Sequence, residues 1–210
     1  MVKVKMCGVT NYDDALLITN AGAEYIGFNF VAGSARKISD KLAKTIIEKL
    51  PPFVTPVGIF VNEDPVVIAK YVKKCNLKMV QLHGDETPEY CSQLHEKIGV
   101  PVIKAFRMEN DQMIDKISRY ADAVQYYLLD SFVAETPGGT GEVFDWDMAL
   151  KVKELGKPVF LAGGLTPDNV AEAIKKVMPF AVDVASGVER IPRRKDYDRM
   201  NQFMRKARGI

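Results

Sequence analysis

A chain of 210 residues that is 47% hydrophobic can bury one substantial core, so a single domain spanning residues 1–210 is expected. Its 29 lysines and arginines nearly balance 27 aspartates and glutamates, which excludes a global field drawing it to nucleic acid or an anionic membrane but leaves room for a small anion held locally. Cys7, Cys75 and Cys91 are odd in number and scattered, which does not suit a disulfide framework and fits a reducing compartment, the cytoplasm by default.

The first apolar run, 2–6, ends against Cys7 and Gly8. Lys3 and Lys5 precede Asn11, Asp13 and Asp14, where a signal peptide would need an uninterrupted apolar stretch, and no window approaches the roughly 18 apolar residues of a membrane span. Further runs rich in Val, Ile and Phe follow at 25–30, 54–60, 78–82, 100–106, 124–130, 158–162 and 180–184. Between and after them lie amphipathic stretches at 12–21, 40–49, 65–74, 87–97, 111–119, 145–155, 167–177 and 196–207. Thr87-Pro88-Glu89 and Thr166-Pro167-Asp168-Asn169 each offer an N-cap threonine with proline at the first helical position, and Pro51-Pro52 closes the second helix before the third strand.

Runs that are apolar on both faces mark strands covered on both sides, hence a parallel sheet with crossover helices. An open doubly wound sheet is the rival. Eight strand-helix units in regular order without a large insertion favour a closed eight-stranded (β/α)₈ TIM barrel, whose chemistry sits at the carboxyl ends of the strands.

At those ends, in chain order, stand the candidates. Lys5 and Cys7 share a strand face, opposite Val4 and Met6, and a lysine inside the barrel needs a partner. Strand eight neighbours strand one in a closed barrel and carries Asp183, so a Lys5–Asp183 pair is expected. Cys7 taken alone reads as a small buried hydrophobe, but a neighbouring cation lowers a thiol's pKa and would make it a base or nucleophile. His83 ends strand four and suits donation to an anionic substrate. Asp130 ends strand six after Leu128-Leu129, in apolar surroundings that would favour its protonated form and fit it to general acid work. Gly163-Gly164 and Ser186-Gly187 follow strands seven and eight, where this fold commonly holds phosphate on freed backbone amides. A phosphorylated small molecule is the inferred ligand.

Other signals carry less. Gly138-Gly139-Thr140-Gly141 lacks both the Lys-Ser/Thr of a P-loop and the third glycine of a dinucleotide fingerprint, and reads as a loop over the site. Cys91 and His95 stand at i and i+4 without a third metal ligand near, so no metal is expected. The basic run Arg190-Ile191-Pro192-Arg193-Arg194-Lys195 reads as a solvated connection that steers phosphate inward, and Tyr126-Tyr127, Met108 and Met113 as packing.

The segments "KMCGVTNYDDA", "AEYIGFNF" with "SARKIS", "VQLHGDE", "LLDS", "GGTGEVFDW", "FLAGGLTPDNV" and "VDVASGVE" with "KD" resemble, in order and across nearly the whole chain, the phosphoribosylanthranilate isomerases of tryptophan biosynthesis. The resemblance implies a cofactor-free barrel that carries out an Amadori rearrangement of a phosphorylated aminosugar. It also implies Asp130 as general acid, Cys7 as general base, Arg36 on the anthranilate carboxylate, His83 and Asp183 lining the pocket, and the turns at Gly163, Gly164, Ser186 and Gly187 on the phosphate. A monomer or homodimer is expected. Glu142, Ala185 and Arg193 depart from the pattern, which commonly has lysine, serine and glycine there. A pentose-phosphate epimerase would need paired metal-binding histidines and aspartates at strand ends, and this chain has one strand-end histidine. A non-catalytic phosphosugar-binding barrel would be expected to have lost Cys7 or Asp130.

Overall fold

Eight parallel strands close on themselves in sequence order, β1 hydrogen-bonding to both β2 and β8. This is a computed structural model, and it describes residues 1–131 and 146–209. The strands are β1 (Lys3–Met6), β2 (Tyr25–Asn29), β3 (Thr55–Phe60), β4 (Met79–Leu82), β5 (Val102–Met108), β6 (Tyr126–Ser131), β7 (Val159–Leu161) and β8 (Ala181–Val184). The helices that wrap them are α1 (Tyr12–Asn20), α2 (Asp40–Ile47), α3 (Pro65–Cys75), α4 (Pro88–Ile98), α5 (Gln112–Ser118), α6 (Trp146–Lys153), α7 (Val170–Val177) and α8 (Tyr197–Arg208). The (β/α)₈ expectation is met. Gly138–Gly141 and Glu142 lie outside the described residues.

Strand alternation divides the core into two shells. Val4, Met6, Ile26, Phe28, Val80, Leu82, Leu129 and Val182 point outward into one cluster with the helices, while Tyr25, Val57, Met79, Ile103, Leu128 and Phe160 fill the barrel. Phe160 lies at its centre, with ring centroids 5.3 Å from Tyr25, 5.6 Å from Tyr126 and 5.5 Å from Phe180. Apolar side chains thus plug the lower barrel. Polar residues on the same inward parity are left for the upper end.

Most helix starts follow the expected cap chemistry. Thr87 accepts from the Tyr90 amide with Pro88 at the first position, and Asp64, Ser39, Asn11 and Asp196 do the same work for their helices. At Thr166 the expected cap bond forms, its Oγ1 accepting from the Asp168 amide at 3.1 Å, but it closes the turn that precedes the helix. There the Asn169 side chain accepts from the Thr166 amide and donates to the Gly164 carbonyl, closing a turn over 166–169, and α7 begins only at Val170.

One element was not anticipated. After β8 a single 3₁₀ turn, Ser186–Val188, leads into a hairpin of β9 (Glu189–Ile191) and β10 (Arg194–Lys195). Its tip is Pro192-Arg193, and Arg193 has φ +74°. Proline followed by a positive φ is the signature of a type II turn, whose third position favours glycine because a Cβ is strained there. That accounts for the arginine standing out at this position. Arg193→Gly is expected to stabilise the fold by about 1 kcal/mol, read as a raised denaturation midpoint; a lowered midpoint would show that the arginine side chain outweighs the backbone strain.

Candidate active site

Inward parity at the upper barrel brings Lys5, Gln81 and Asp183 into one layer and Cys7, Asn29, His83 and Asp130 into the layer above. In the β1–β8 register Lys5 stands opposite Asp183, and its Nζ donates to Asp183 Oδ2 at 2.9 Å with the lysine side chain fully buried. The pair expected from topology is present. Burial alone would push the Lys5 ammonium down, but Asp183 and Cys7 beside it hold it above its ordinary value. Asp183 Oδ1 is buried and has no hydrogen-bond partner among the described residues, and Asp183 lines the cavity.

Cys7 is partly exposed, and its sulfur fits because β2 has no side chain at Gly27, where a Cβ would lie 2.9 Å from Sγ. Its protonation differs from expectation. Burial pushes the thiol above its ordinary value and the Asp183 charge adds to this, while Lys5 and Lys195 pull downward without reversing it. The neighbouring cation is there, but it is already committed to a carboxylate.

Asp130 shares the inward face of β6 with Leu128, while Leu129 packs outward among the helices. The apolar surroundings expected for it are not what it meets. Its side chain is 32% exposed, and Oδ2 lies 3.4 Å from His83 Nε2. Gln81 Nε2 lies 3.2 Å from His83 Nδ1, so with the amide as donor the ring proton sits on Nε2, the nitrogen 3.4 Å from the carboxylate. Two strand-end groups read separately in the sequence are therefore one unit.

Arg36 rises from the β2–α2 loop. Asn29 anchors that loop by accepting from the Val31 amide and donating to Ser34 Oγ, which in turn accepts from the Arg36 amide. The guanidinium is not simply solvated: Nε and Nη2 donate to Glu189 Oε1 and Oε2 at 2.9 and 2.6 Å. Glu189 is also reached by Lys195, 3.3 Å away. Here the reading of 190–195 as a solvated connection is corrected. Arg190, Arg193 and Arg194 are exposed, but Lys195 turns inward and donates to the carbonyls of Cys7 and Ala185 at 2.7 and 2.9 Å. Hairpin pairing of Lys195 with Glu189 supplies the charge that makes its burial tolerable.

The glycine turns after β7 and β8 meet. A Cβ on Gly187 would collide with the Leu165 carbonyl, so the two loops pack as one surface. The amides of Gly163, Gly164, Ser186 and Gly187 are not taken up by other described residues. Replacing serine with Ala185 removes a hydroxyl and leaves this backbone intact.

One cavity of about 250 Å³ at the carboxyl ends of the strands is lined by Cys7, Arg36, His83, Asp130, Gly163, Gly164, Asp183, Ser186 and Gly187 together. Sequence reasoning missed Gly27, Asn29 and Gln81, which strand parity would have found, and Glu189 and Lys195, which only the hairpin reveals. Away from the site, Cys91 is buried in the outer core with its thiol pushed up to about 12 by burial, and His95 Nδ1 meets the Val100 carbonyl at 3.0 Å. That helix pair is explained by packing. Among the described residues no helix is long and apolar enough to cross a membrane.

Comparison with known proteins bears on this geometry. The sequence model of a family described as N-(5'phosphoribosyl)anthranilate (PRA) isomerase matches residues 4–206. The N-(5'-phosphoribosyl)anthranilate isomerase of Trichlorobacter lovleyi is 47% identical over 208 residues, 99% of this chain and 98% of its own. That of Geobacter sulfurreducens is 46% identical over the full length of both. The crystal structure of phosphoribosyl anthranilate isomerase from Thermotoga maritima superposes with a TM-score of 0.93 at 42% identity, covering 100% of both chains. Another such isomerase, 40% identical and superposing with a TM-score of 0.90 over 100% of both chains, was solved with reduced 1-(o-carboxyphenylamino)-1-deoxyribulose 5-phosphate.

Proposed function

Because this chain belongs to the N-(5'-phosphoribosyl)anthranilate isomerase family and is an isomerase of tryptophan biosynthesis, we propose that Cys7 is its general base and Asp130 its general acid. The observation that carries this reading is the shared cavity, with Cys7 on β1, Asp130 on β6 and the glycine turns of the last two strands all on its wall. The substrate is a phosphorylated aminosugar, N-(5-phosphoribosyl)anthranilate. It enters with its phosphate on the amides at 163–164 and 186–187 and its carboxylate on Arg36.

Asp130 protonates the furanose ring oxygen, the C1–O bond breaks, and the nitrogen lone pair forms the iminium. Its positive charge acidifies the proton on C2, so the chemistry needs no metal or organic cofactor. That same charge, arriving beside Cys7, favours the thiolate. Cys7 takes the C2 proton, the electron pair closes the C1–C2 double bond of an enolamine and neutralises nitrogen, and tautomerisation delivers the C2 ketone. Asp183, held by Lys5 on the cavity wall, is placed to accept from a ribose hydroxyl. His83 orients Asp130 and hands it protons.

The reading takes residues 1–210 as one barrel domain acting in the cytoplasm on a small molecule, as a monomer or homodimer; a Thermotoga maritima relative is described as dimeric. It is tested by following the loss of freshly generated phosphoribosylanthranilate by its fluorescence. Arg36→Ala is expected to raise KM roughly tenfold to a hundredfold, the scale of a charged hydrogen-bond pair, with a smaller change in kcat. An unchanged KM would remove Arg36 from the carboxylate.

A further inference from the structure

A buried carboxylate with no place in that chemistry lies directly behind Arg36. We propose that Glu189 is a positioning residue for substrate recognition: it grips the inner edge of the Arg36 guanidinium and turns the outer edge to the cavity. The proposal rests on the reading of Arg36 as the carboxylate-binding residue.

Both oxygens of Glu189 are spent on Arg36, in the parallel two-bond arrangement that fixes a guanidinium plane. Had the carboxylate served only to neutralise Lys195, the single 3.3 Å contact would suffice, and the shorter bonds would not go to a side chain that is 26% exposed. Nη1 of Arg36 makes no hydrogen bond to a described residue, and Arg36 lines the cavity. The arginine stem crosses Gly8 so closely that a Cβ there would strike its Cδ. Below, Lys195 ties Glu189 to the carbonyls of Cys7 and Ala185. Glu189 thereby fastens the β2–α2 loop to the rims of β1 and β8.

Charge counting points the same way. Arg36 and Lys195 share the one carboxylate of Glu189, and a substrate carboxylate on the outer edge of Arg36 gives that cation an anion of its own. Burial alone would raise the Glu189 carboxyl, but Arg36 and Lys195 hold it below its ordinary value, so it stays an anion while the site works. A guanidinium fixed before binding loses less freedom when the carboxylate arrives, which lowers KM without touching the chemical step.

The test compares wild type, Glu189→Gln, Arg36→Ala and the double variant, each assayed for kcat and KM with phosphoribosylanthranilate. Glu189→Gln is expected to raise KM roughly tenfold with kcat held within about twofold, and to add nothing to KM in the Arg36→Ala background. A KM unchanged in Glu189→Gln, or an increase that persists undiminished without Arg36, overturns the proposal while leaving the Arg36 reading intact. An unchanged KM in Arg36→Ala overturns both. Should Glu189→Gln fail to fold with Lys195 unpaired, the unaltered enzyme still decides the matter by nitrogen NMR of its arginines, with Arg36→Lys providing the assignment. Slow guanidinium rotation at Arg36 without ligand is expected, and a freely averaging signal overturns the assignment.

Discussion

Cys7→Ser is expected to leave a barrel that binds product normally and turns over substrate about two to four orders of magnitude more slowly, the scale of lost general base catalysis. Serine is smaller than cysteine, and the sulfur sits over the bare Cα of Gly27, so the substitution introduces no clash and the loss reports chemistry alone. A hydroxyl titrates far above any thiol and cannot supply the anion. Near-normal turnover in the variant would sink Cys7 as the base.

Asp130→Asn is the second large effect, again about two to four orders of magnitude in kcat with product binding retained. The amide matches the carboxyl in size and can still accept from His83 Nε2, so the β5–β6 register opposite Arg107 has no reason to change. What disappears is a proton that can be given to the ring oxygen. If turnover survives in Asp130→Asn, ring opening draws its proton from elsewhere, and His83 at 3.4 Å is the group to replace next.

How far these groups were readable varies with how local their causes are. The eight apolar runs and their capped helices were legible because strand and helix periodicity act within a few residues, and closure followed from counting units. Lys5–Asp183 was legible because closure makes β1 and β8 neighbours and a buried ammonium demands an anion. Thr166 was legible as a cap because its bond to the Asp168 amide spans two residues, but the start of α7 was not, since Asn169 holds 166–169 as a turn ahead of Val170. Asp130 misled as an apolar acid because its neighbours in sequence point elsewhere: Leu128 into the lower barrel and Leu129 to the helices. Its real neighbour, His83, is on β4.

Periodicity, parity and unit count, all properties of the chain alone, determined the barrel, the strand ends and the inward direction of Cys7, His83, Asp130 and Asp183. Beyond Lys5–Asp183, tertiary structure alone decided which charges meet. It placed Lys195 under Cys7, gave Glu189 both Arg36 and Lys195, and buried Cys7 enough to push its thiol above its ordinary value despite Lys5 beside it. The reason is that a Coulomb interaction depends on separation in space and on what else shares the charge, and sequence spacing encodes neither once the chain has crossed the barrel.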